Sequence, residues 1–487
     1  MTRSTAGVLS VSRCCIAVII PDENLCSNSI LHPFLYFVKG VFEKMSEVRL
    51  PITDFLSNYA RTKPIRAHMP GHKGKPLPGF PALSAAFPYD ITEIAGADSL
   101  FEADGILLEA EARTAALYGS GGLCYSAGGS TLCIQAMLAQ MQTEGRTVIA
   151  ARTVHRAFLN ACVLLGLQVR WIFPEDGNLL SGHYTPAQFS SALRASVQAG
   201  ERPCVYVTSP DYLGGIQDIA ALSAVCRGYD APLLVDNAHG AHLAFLPENR
   251  HPIALGADYC CDSAHKMLPA LTGGAWLHCR EAEKKPLLKQ HMQLFGSTSP
   301  SYLILQSLEA STHWLRSGGI ERIRRTAAQA EALRAKLPQY RWLGSEPFHL
   351  SAAADGIQLA AALRRHGVEC EYADKTCLVL LLSPMTEEWE FSRLAGILAA
   401  CDPGAPAVIP DLPEPPEQAM TLREAALSRW EQTPLTEAAG RICGPVQVPC
   451  PPAIPVVMSG ERITPGWCNV LEFYSADPQQ AGICTVR

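Results

Sequence analysis

No Cys-x-x-Cys pair occurs in this 487-residue chain, although it has 18 cysteines. Zinc and dithiol redox sites take paired ligands at loop spacing, so the scatter predicts neither, and no metal is expected. The cysteines read instead as small buried hydrophobes in a reducing, cytoplasmic setting. Nor does any uninterrupted apolar run reach the ~18 residues of a membrane span. The apolar segment Val8 to Ile20 is broken by Arg13 and followed by no clean small-residue cleavage site, which argues against a signal peptide. Basic runs are missing too, and a formal charge of -6 offers no nucleic-acid footprint. What is present, 48% hydrophobic and 18% charged residues, is the composition of a globular enzyme large enough for two to three domains.

The first forty-four residues look unlike the rest. Residues 1–44 are expected to be a non-native or disordered extension, with Met45 the biological start. An N-terminal arm is expected over 45–88, a large α/β domain over 89–317, and a linker helix with a smaller α+β C-terminal domain over 318–487. In the large domain, apolar or β-branched runs alternate with helical stretches: Val148 to Ala151, Val169 to Phe173, Val205 to Thr208, Leu233 to Asp236, Tyr259 to Asp262 and Ala275 to His278. Buried runs at βαβ spacing predict a mostly parallel sheet with helices on both faces, and ligands at the carboxyl ends of its strands. Gly318 to Leu337 reads as the charged linker helix, and Cys377 to Leu382 as a strand. The prolines between Asp402 and Gln418 exclude regular helix or interior strand there.

Two neighbouring segments hold the chemistry: Val235-Asp-Asn-Ala-His-Gly-Ala-His and Cys261-Asp-Ser-Ala-His-Lys-Met-Leu-Pro-Ala-Leu-Thr-Gly-Gly. A carboxylate at a strand end must be paired or solvated, and Asp236 there can keep a pyridine nitrogen protonated. The ε-amine of Lys266 can condense with an aldehyde and then be displaced by a substrate amine. Together they point to pyridoxal 5'-phosphate (PLP), with Ser263 and His265 placed for its phosphate and Ala238 against its ring. As plain structure, Asp236 would cap the following segment and Lys266 would be a surface lysine. His239 either hydrogen-bonds near the substrate or is satisfied in its loop. Ser126-Ala-Gly-Gly-Ser-Thr opens the helix Leu132 to Gln142, so backbone N–H groups with Ser130 and Thr131 can dock a phosphate, unless the turn is an ordinary cap. Beyond the next strand, His155 could stack on the cofactor.

These residues, with Arg66-Ala-His-Met-Pro-Gly-His-Lys-Gly, Asp90-Ile-Thr-Glu, Tyr206-Val-Thr-Ser-Pro-Asp-Tyr, Ser297-Thr-Ser-Pro-Ser-Tyr and Pro451-Pro-Ala-Ile-Pro, resemble the Orn/Lys/Arg decarboxylases, in their short bacterial form. The resemblance runs from about Leu50 to Thr464. It implies the PLP-dependent transferase fold of fold type I, decarboxylation of a basic amino acid, and a homodimer or larger assembly with active sites between subunits. It also implies that Lys266 is the Schiff-base lysine, Asp236 the ring-nitrogen partner and His155 the stacking histidine. Ser130, Thr131, Ser263 and His265 would hold phosphate, and the Ser297-Thr298-Ser299 turn would reach a neighbouring subunit's cofactor.

Departures from the family pattern are Gly273 for Gln, Cys261 for a small residue, Asn237 for Glu, and Cys450 and Ala453 for Tyr and Gly. Arginine or lysine is favoured over ornithine as substrate, with Glu461 and Asp98 as candidate partners of its side-chain cation. Lys266 or His265 could return the proton to Cα. The rival readings are another fold-type I reaction, such as transamination or aldol cleavage, and a PLP-binding protein without turnover.

Overall fold

The apolar runs become strands because the sheet they build is covered on both faces. The computed structural model describes residues 49–446, 453–475 and 481–487. The expected extension over 1–44, the start at Met45, and the residues from Cys450 to Pro452 lie outside them. From Pro51 onward the chain forms one unit.

Its main sheet comprises β1 (Gly122–Ser126), β2 (Thr147–Ala151), β3 (Val169–Ile172), β4 (Pro203–Thr208), β5 (Leu233–Asp236), β6 (Tyr259–Asp262) and β7 (Ala275–Cys279), in the order β1-β7-β6-β5-β4-β2-β3. All run in one direction except β7, which is antiparallel to both its neighbours. Besides a short helix at Pro81–Ala86, the helices are α1 (Pro51–Thr62), α2 (Ile106–Tyr118), α3 (Gly129–Thr143), α4 (Arg156–Leu165), α5 (Pro186–Gln198), α6 (Ile219–Arg227), the single turn α7 (Ala264–Met267), α8 (Lys285–Phe295) and α9 (Tyr302–Trp314). Because strand side chains alternate, Ile149, Val205, Val207, Leu233 and Val235 pack against Phe189 and Leu193 of α5 and Ile219 and Leu222 of α6. Val148, Ala150, Tyr206 and Leu234 point the other way, into the core shared with α2, α3 and α4. Each such fully buried Val or Leu contributes about 1.5–3 kcal/mol, so both helical layers are needed to hold the sheet.

After a π turn at Leu315–Gly319, in which Gly318 takes φ +108°, the charged linker becomes α10 (Ile320–Ala335). It leads to a four-stranded antiparallel sheet, β8 (Arg341–Leu343), β9 (His349–Ala353), β10 (Tyr372–Ala373) and β11 (Cys377–Leu381), ordered β8-β9-β11-β10. Helices α11 (Gly356–Arg365) and α12 (Glu388–Ala400) close its core around Leu350, Leu359, Leu378 and Leu398. The proline-rich passage from Asp402 runs without helix or strand to a bridge between Gln418 and Glu461. The ribbon β12 (Trp430–Pro434) and β13 (Gly482–Val486), with α13 (Pro465–Tyr474), belongs to the C-terminal part. No helix among the described residues is long and apolar enough to cross a membrane. Of the described cysteines, all are free and only Cys370, Cys401 and Cys468 are less than buried.

One ion pair ties the C-terminal part to the sheet. Arg152 follows β2 directly and is fully buried; its two terminal nitrogens donate to the carboxylate oxygens of Glu461 at 2.6 and 2.7 Å. Val456 O accepts a further bond at 3.0 Å, and the guanidinium lies 5.2, 5.0 and 5.8 Å from the ring centres of Trp171, Phe173 and Trp467. Removing one partner of a buried pair strands the other charge, which costs about 3–5 kcal/mol. Glu461→Gln is therefore expected to lower unfolding stability by about that amount. Urea unfolding measures it, and an unchanged midpoint would contradict the role given to the pair.

Candidate active site

The carboxyl ends of the parallel strands converge on one pocket. Thr208 ends β4, Asp236 ends β5, and His155 follows β2; all three line it together with Ser130, Ala238, His239 and Lys266. Lys266 arrives because β7 returns antiparallel beside β6, which forces the chain to reverse between Ser263 and Gly274 and sets the single turn α7 at the sheet edge. Its Nζ lies 2.9 Å from His239 Nε2. A wider cleft at the opposite strand ends is lined by Arg146, Arg227, Asp258, Arg280 and Lys284, charged groups that include ion pairs such as Arg280 with Asp258 at 2.5 Å.

Asp236 is 2% exposed. Its Oδ1 accepts from Ala238 N–H at 3.2 Å and from the Cys261 thiol at 3.6 Å, and its Oδ2 from Tyr206 O–H at 3.3 Å. All three donors are neutral. Cys261, a departure from the family pattern, thus supports the carboxylate. Asn237, another departure, donates to Asp262 Oδ1 at 2.6 Å. Behind it, His251 and His278 donate to Asp262 Oδ2 at 3.0 and 3.1 Å, with the Cys260 thiol nearby, so a loop histidine and three residues of β6 and β7 gather into a cluster that sequence spacing does not reveal. Burial works against an Asp262 anion, but the two imidazoles outweigh it and hold the carboxyl far below its usual range.

His155 caps α4, with Nδ1 accepting from Ala157 N–H at 3.1 Å, so its ring is fixed at the pocket wall. Burial pushes it below the usual histidine range despite Asp236, and Lys266 and Arg156 add to the shift; the ring is neutral. The start of α3 has no side-chain cap, its Gly129 takes φ +67° and donates to Gly273 O at 2.8 Å, and Ser263 Oγ donates to Ser130 Oγ at 2.8 Å. Gly273, where the family pattern has Gln, therefore supplies a backbone acceptor at φ +95°. Thr131 stands exposed on the same first turn, and His265 Nδ1 bonds Gly274 O at 2.9 Å.

The structure does not bring every candidate in. Glu461 is committed to Arg152, and Asp98 accepts the backbone N–H groups of Ser99, Asp104, Gly105 and Leu107, which makes it the cap of α2 rather than a group facing the pocket. Ser297 and Thr298 lie in an exposed turn after α8 and line no part of this chain's own pocket.

With this geometry in place, comparison with known proteins is direct. The Orn/Lys/Arg decarboxylase major domain matches residues 50–348, and the C-terminal domain of Orn/Lys/Arg decarboxylases matches residues 409–479. The chain belongs to the Orn/Lys/Arg decarboxylase family. It is 29% identical over 453 residues to an arginine decarboxylase of Bacillus subtilis, covering 86% of this chain and 92% of that one. In fold it is similar to lysine decarboxylase A from Pseudomonas aeruginosa, with TM-score 0.76 at 17% identity over 93% of this chain and 83% of that one. A more distant likeness, to an SPT variant solved with PLP, has TM-score 0.51 at 15% identity over 62% and 79% of the two chains. The sheet and small domain are those of fold type I.

Six pocket residues of this family member were not among the site candidates of the sequence reading: Thr153, Val154, Thr208, Pro210, Tyr212 and Ile454. Thr208 Oγ1 is buried and makes no hydrogen bond. The run Tyr206-Val-Thr-Ser-Pro-Asp-Tyr was legible as a motif and a strand end, which was signal enough to suspect Thr208. Ile454 comes from the C-terminal part; the motif Pro451-Pro-Ala-Ile-Pro contains it, but nothing along the chain indicates that this motif folds onto the pocket.

Proposed function

We propose that this chain decarboxylates a basic L-amino acid, arginine or lysine before ornithine, using PLP held in the pocket at the sheet's carboxyl edge. The observation that carries the reading is Asp236: a buried carboxylate answered only by neutral hydrogen-bond donors, in the same pocket as the Lys266 amine. A protonated pyridine nitrogen is the cation such a site calls for. The unpartnered Thr208 Oγ1 and the uncapped start of α3 beside Ser130 and Ser263 also fit, because they leave a hydroxyl and backbone N–H groups for an oxygen-rich ligand.

When bound, the cofactor supplies an aldehyde for the amine and a cationic ring that draws electrons from the bond broken at Cα. Lys266 provides the attachment amine. Asp236 keeps the ring nitrogen protonated, and the neutral His155 would lie against the ring face. Ser130, Thr131, Ser263, His265 and the first N–H groups of α3 would hold the phosphate, with Ala238 leaving room for the ring. Loss of carbon dioxide from Cα requires a proton in return, and Lys266 Nζ is the donor placed for it; His265 is occupied at Nδ1 by Gly274 O. A second copy of the chain supplies the Ser297–Ser299 turn, which is exposed and lines no part of its own pocket.

Incubation with PLP and, separately, arginine, lysine and ornithine is expected to release one amine with carbon dioxide and no pyridoxamine; conversion to pyridoxamine would instead favour transamination. Borohydride should trap PLP on the Lys266 peptide of the wild-type chain and leave no label in Lys266→Ala; label on another peptide defeats the assignment. Asp236→Ala should still take up cofactor but lose most of its rate, and near-native turnover would contradict the role of the carboxylate. Thr208→Val, which keeps shape and removes the hydroxyl, should weaken PLP affinity about fivefold, the worth of one hydrogen bond of about 1 kcal/mol. Titration of fluorescence checks it.

A further inference from the structure

Behind the pocket runs a buried line of hydrogen bonds that the proposed chemistry does not use. Lys266 Nζ meets His239 Nε2 at 2.9 Å, His239 Nδ1 meets His349 Nε2 at 3.0 Å, and His349 Nδ1 bonds Glu346 Oε2. Glu346 Oε2 also accepts the N–H groups of Phe348 and His349 at 2.9 and 2.8 Å, and Oε1 accepts from His242 Nε2 at 2.5 Å. His349 opens β9 and Glu346 lies just before it, so the line starts in the smaller sheet and ends on the lysine of the larger one. Glu346 and His349 are buried throughout.

Donor and acceptor roles give this line a direction. A carboxylate only accepts, so His349 Nδ1 holds the hydrogen and a neutral His349 presents a bare Nε2. His239 Nδ1 must then donate to it, which leaves His239 Nε2 bare toward Lys266, where an ammonium needs an acceptor.

We propose that Glu346 and His349 are positioning residues that hold His239 as the proton acceptor of Lys266, so that the amine becomes free for attachment near neutral pH. This rests on the reading of Lys266 as the cofactor-binding amine. In the transfer, a Lys266 Nζ–H bond breaks as a His239 Nε2–H bond forms, and the His239 Nδ1–H bond breaks as a His349 Nε2–H bond forms. Each donor nitrogen keeps its electron pair, and the proton ends on His349 beside the Glu346 anion. The carboxylate bonds His349 directly and reaches Lys266 only through two imidazoles, so its attraction favours the proton at the His349 end.

The surroundings agree. Burial, then Lys266 and His349, hold His239 well below the usual histidine range, so it passes a proton on rather than keeping it. Burial alone would raise Glu346, but His242 and His349 outweigh it and keep the group ionised. The other charged or titratable groups near the line include His155 and His265 near His239, Tyr212, whose ring centre lies 5.9 Å from that of His239, Asp236 near His155, and Asp211 near His349. Arg334 donates to the backbone oxygens of Glu346 and His349 at 2.7 and 2.6 Å, which fixes the turn that holds them.

The test uses the full chain freed of cofactor, pulsed with acetic anhydride across a pH series. Acetylation of the Lys266 peptide is read by mass spectrometry against that of the exposed Lys336. In wild type, the Lys266 profile should lie at lower pH than that of Lys336. Glu346→Gln should displace it upward by about one pH unit, about tenfold less labelling near pH 7, with the curves meeting at alkaline pH. Glu346→Asp should restore most of the difference, and His349→Gln, which cuts the line but keeps the carboxylate, should reproduce the displacement. Profiles that coincide, a loss by the same factor at every pH, or a wild-type Lys266 no more reactive than Lys336 would overturn the proposal. Because no PLP is present, a failed borohydride trap would refute the functional reading without touching this measurement, and the converse also holds.

Discussion

The Arg152–Glu461 pair is the interaction on which the pocket's shape depends. It buries a guanidinium immediately after β2 and anchors the C-terminal part there, and one residue beyond His155 the backbone N–H of Arg156 donates to Ala453 O at 2.8 Å. Those two attachments fix where α4 begins, and the beginning of α4 is what aims His155. They also bring Ile454 to the pocket wall. A charge pair outside the pocket thus decides the placement of a residue that lines it.

Among the buried carboxylates around the site, Glu461, Asp262, Glu346 and Asp236 are distinguished by their partners. Glu461 faces a guanidinium, Asp262 faces two imidazoles, and Glu346 faces two more. Asp236 alone among these has only an amide, a phenol and a thiol. Burying an ion is costly unless it is paired, and of these four acids Asp236 is the one with no guanidinium or imidazole hydrogen-bonded to it.

Six of the seven strands of the main sheet were legible, five because burial on both faces makes them largely apolar runs, and the edge strand β3 because valine, tryptophan and isoleucine flank its exposed Arg170. The seventh, Gly122–Ser126, was not, since a run opening on glycine and ending on serine resembles the turn that follows it. The candidate site divides in the same way. Lys266, Asp236, His239 and His155 sit in short motifs, and the structure brings them to one pocket. Asp98 and Glu461 looked eligible as substrate partners because an acid's neighbours cannot be read along the chain, and folding gives one a helix to cap and the other an arginine 309 positions away. Glu346 and His349 were invisible for the converse reason: nothing local to β9 indicates that it packs behind a distant lysine.

The reversed strand β7 has a further consequence. The segment from Ser263 to Gly274 is pinned at one end by β6 and at the other by β7, whose neighbours on both sides fix its register residue by residue. A one-residue insertion or deletion within it would either slip β7, turning its buried face outward, or drag the lysine-bearing turn along the sheet edge. Length variation among descendants of this chain should therefore gather in outer connections such as the proline-rich passage, while this reversal keeps a constant span.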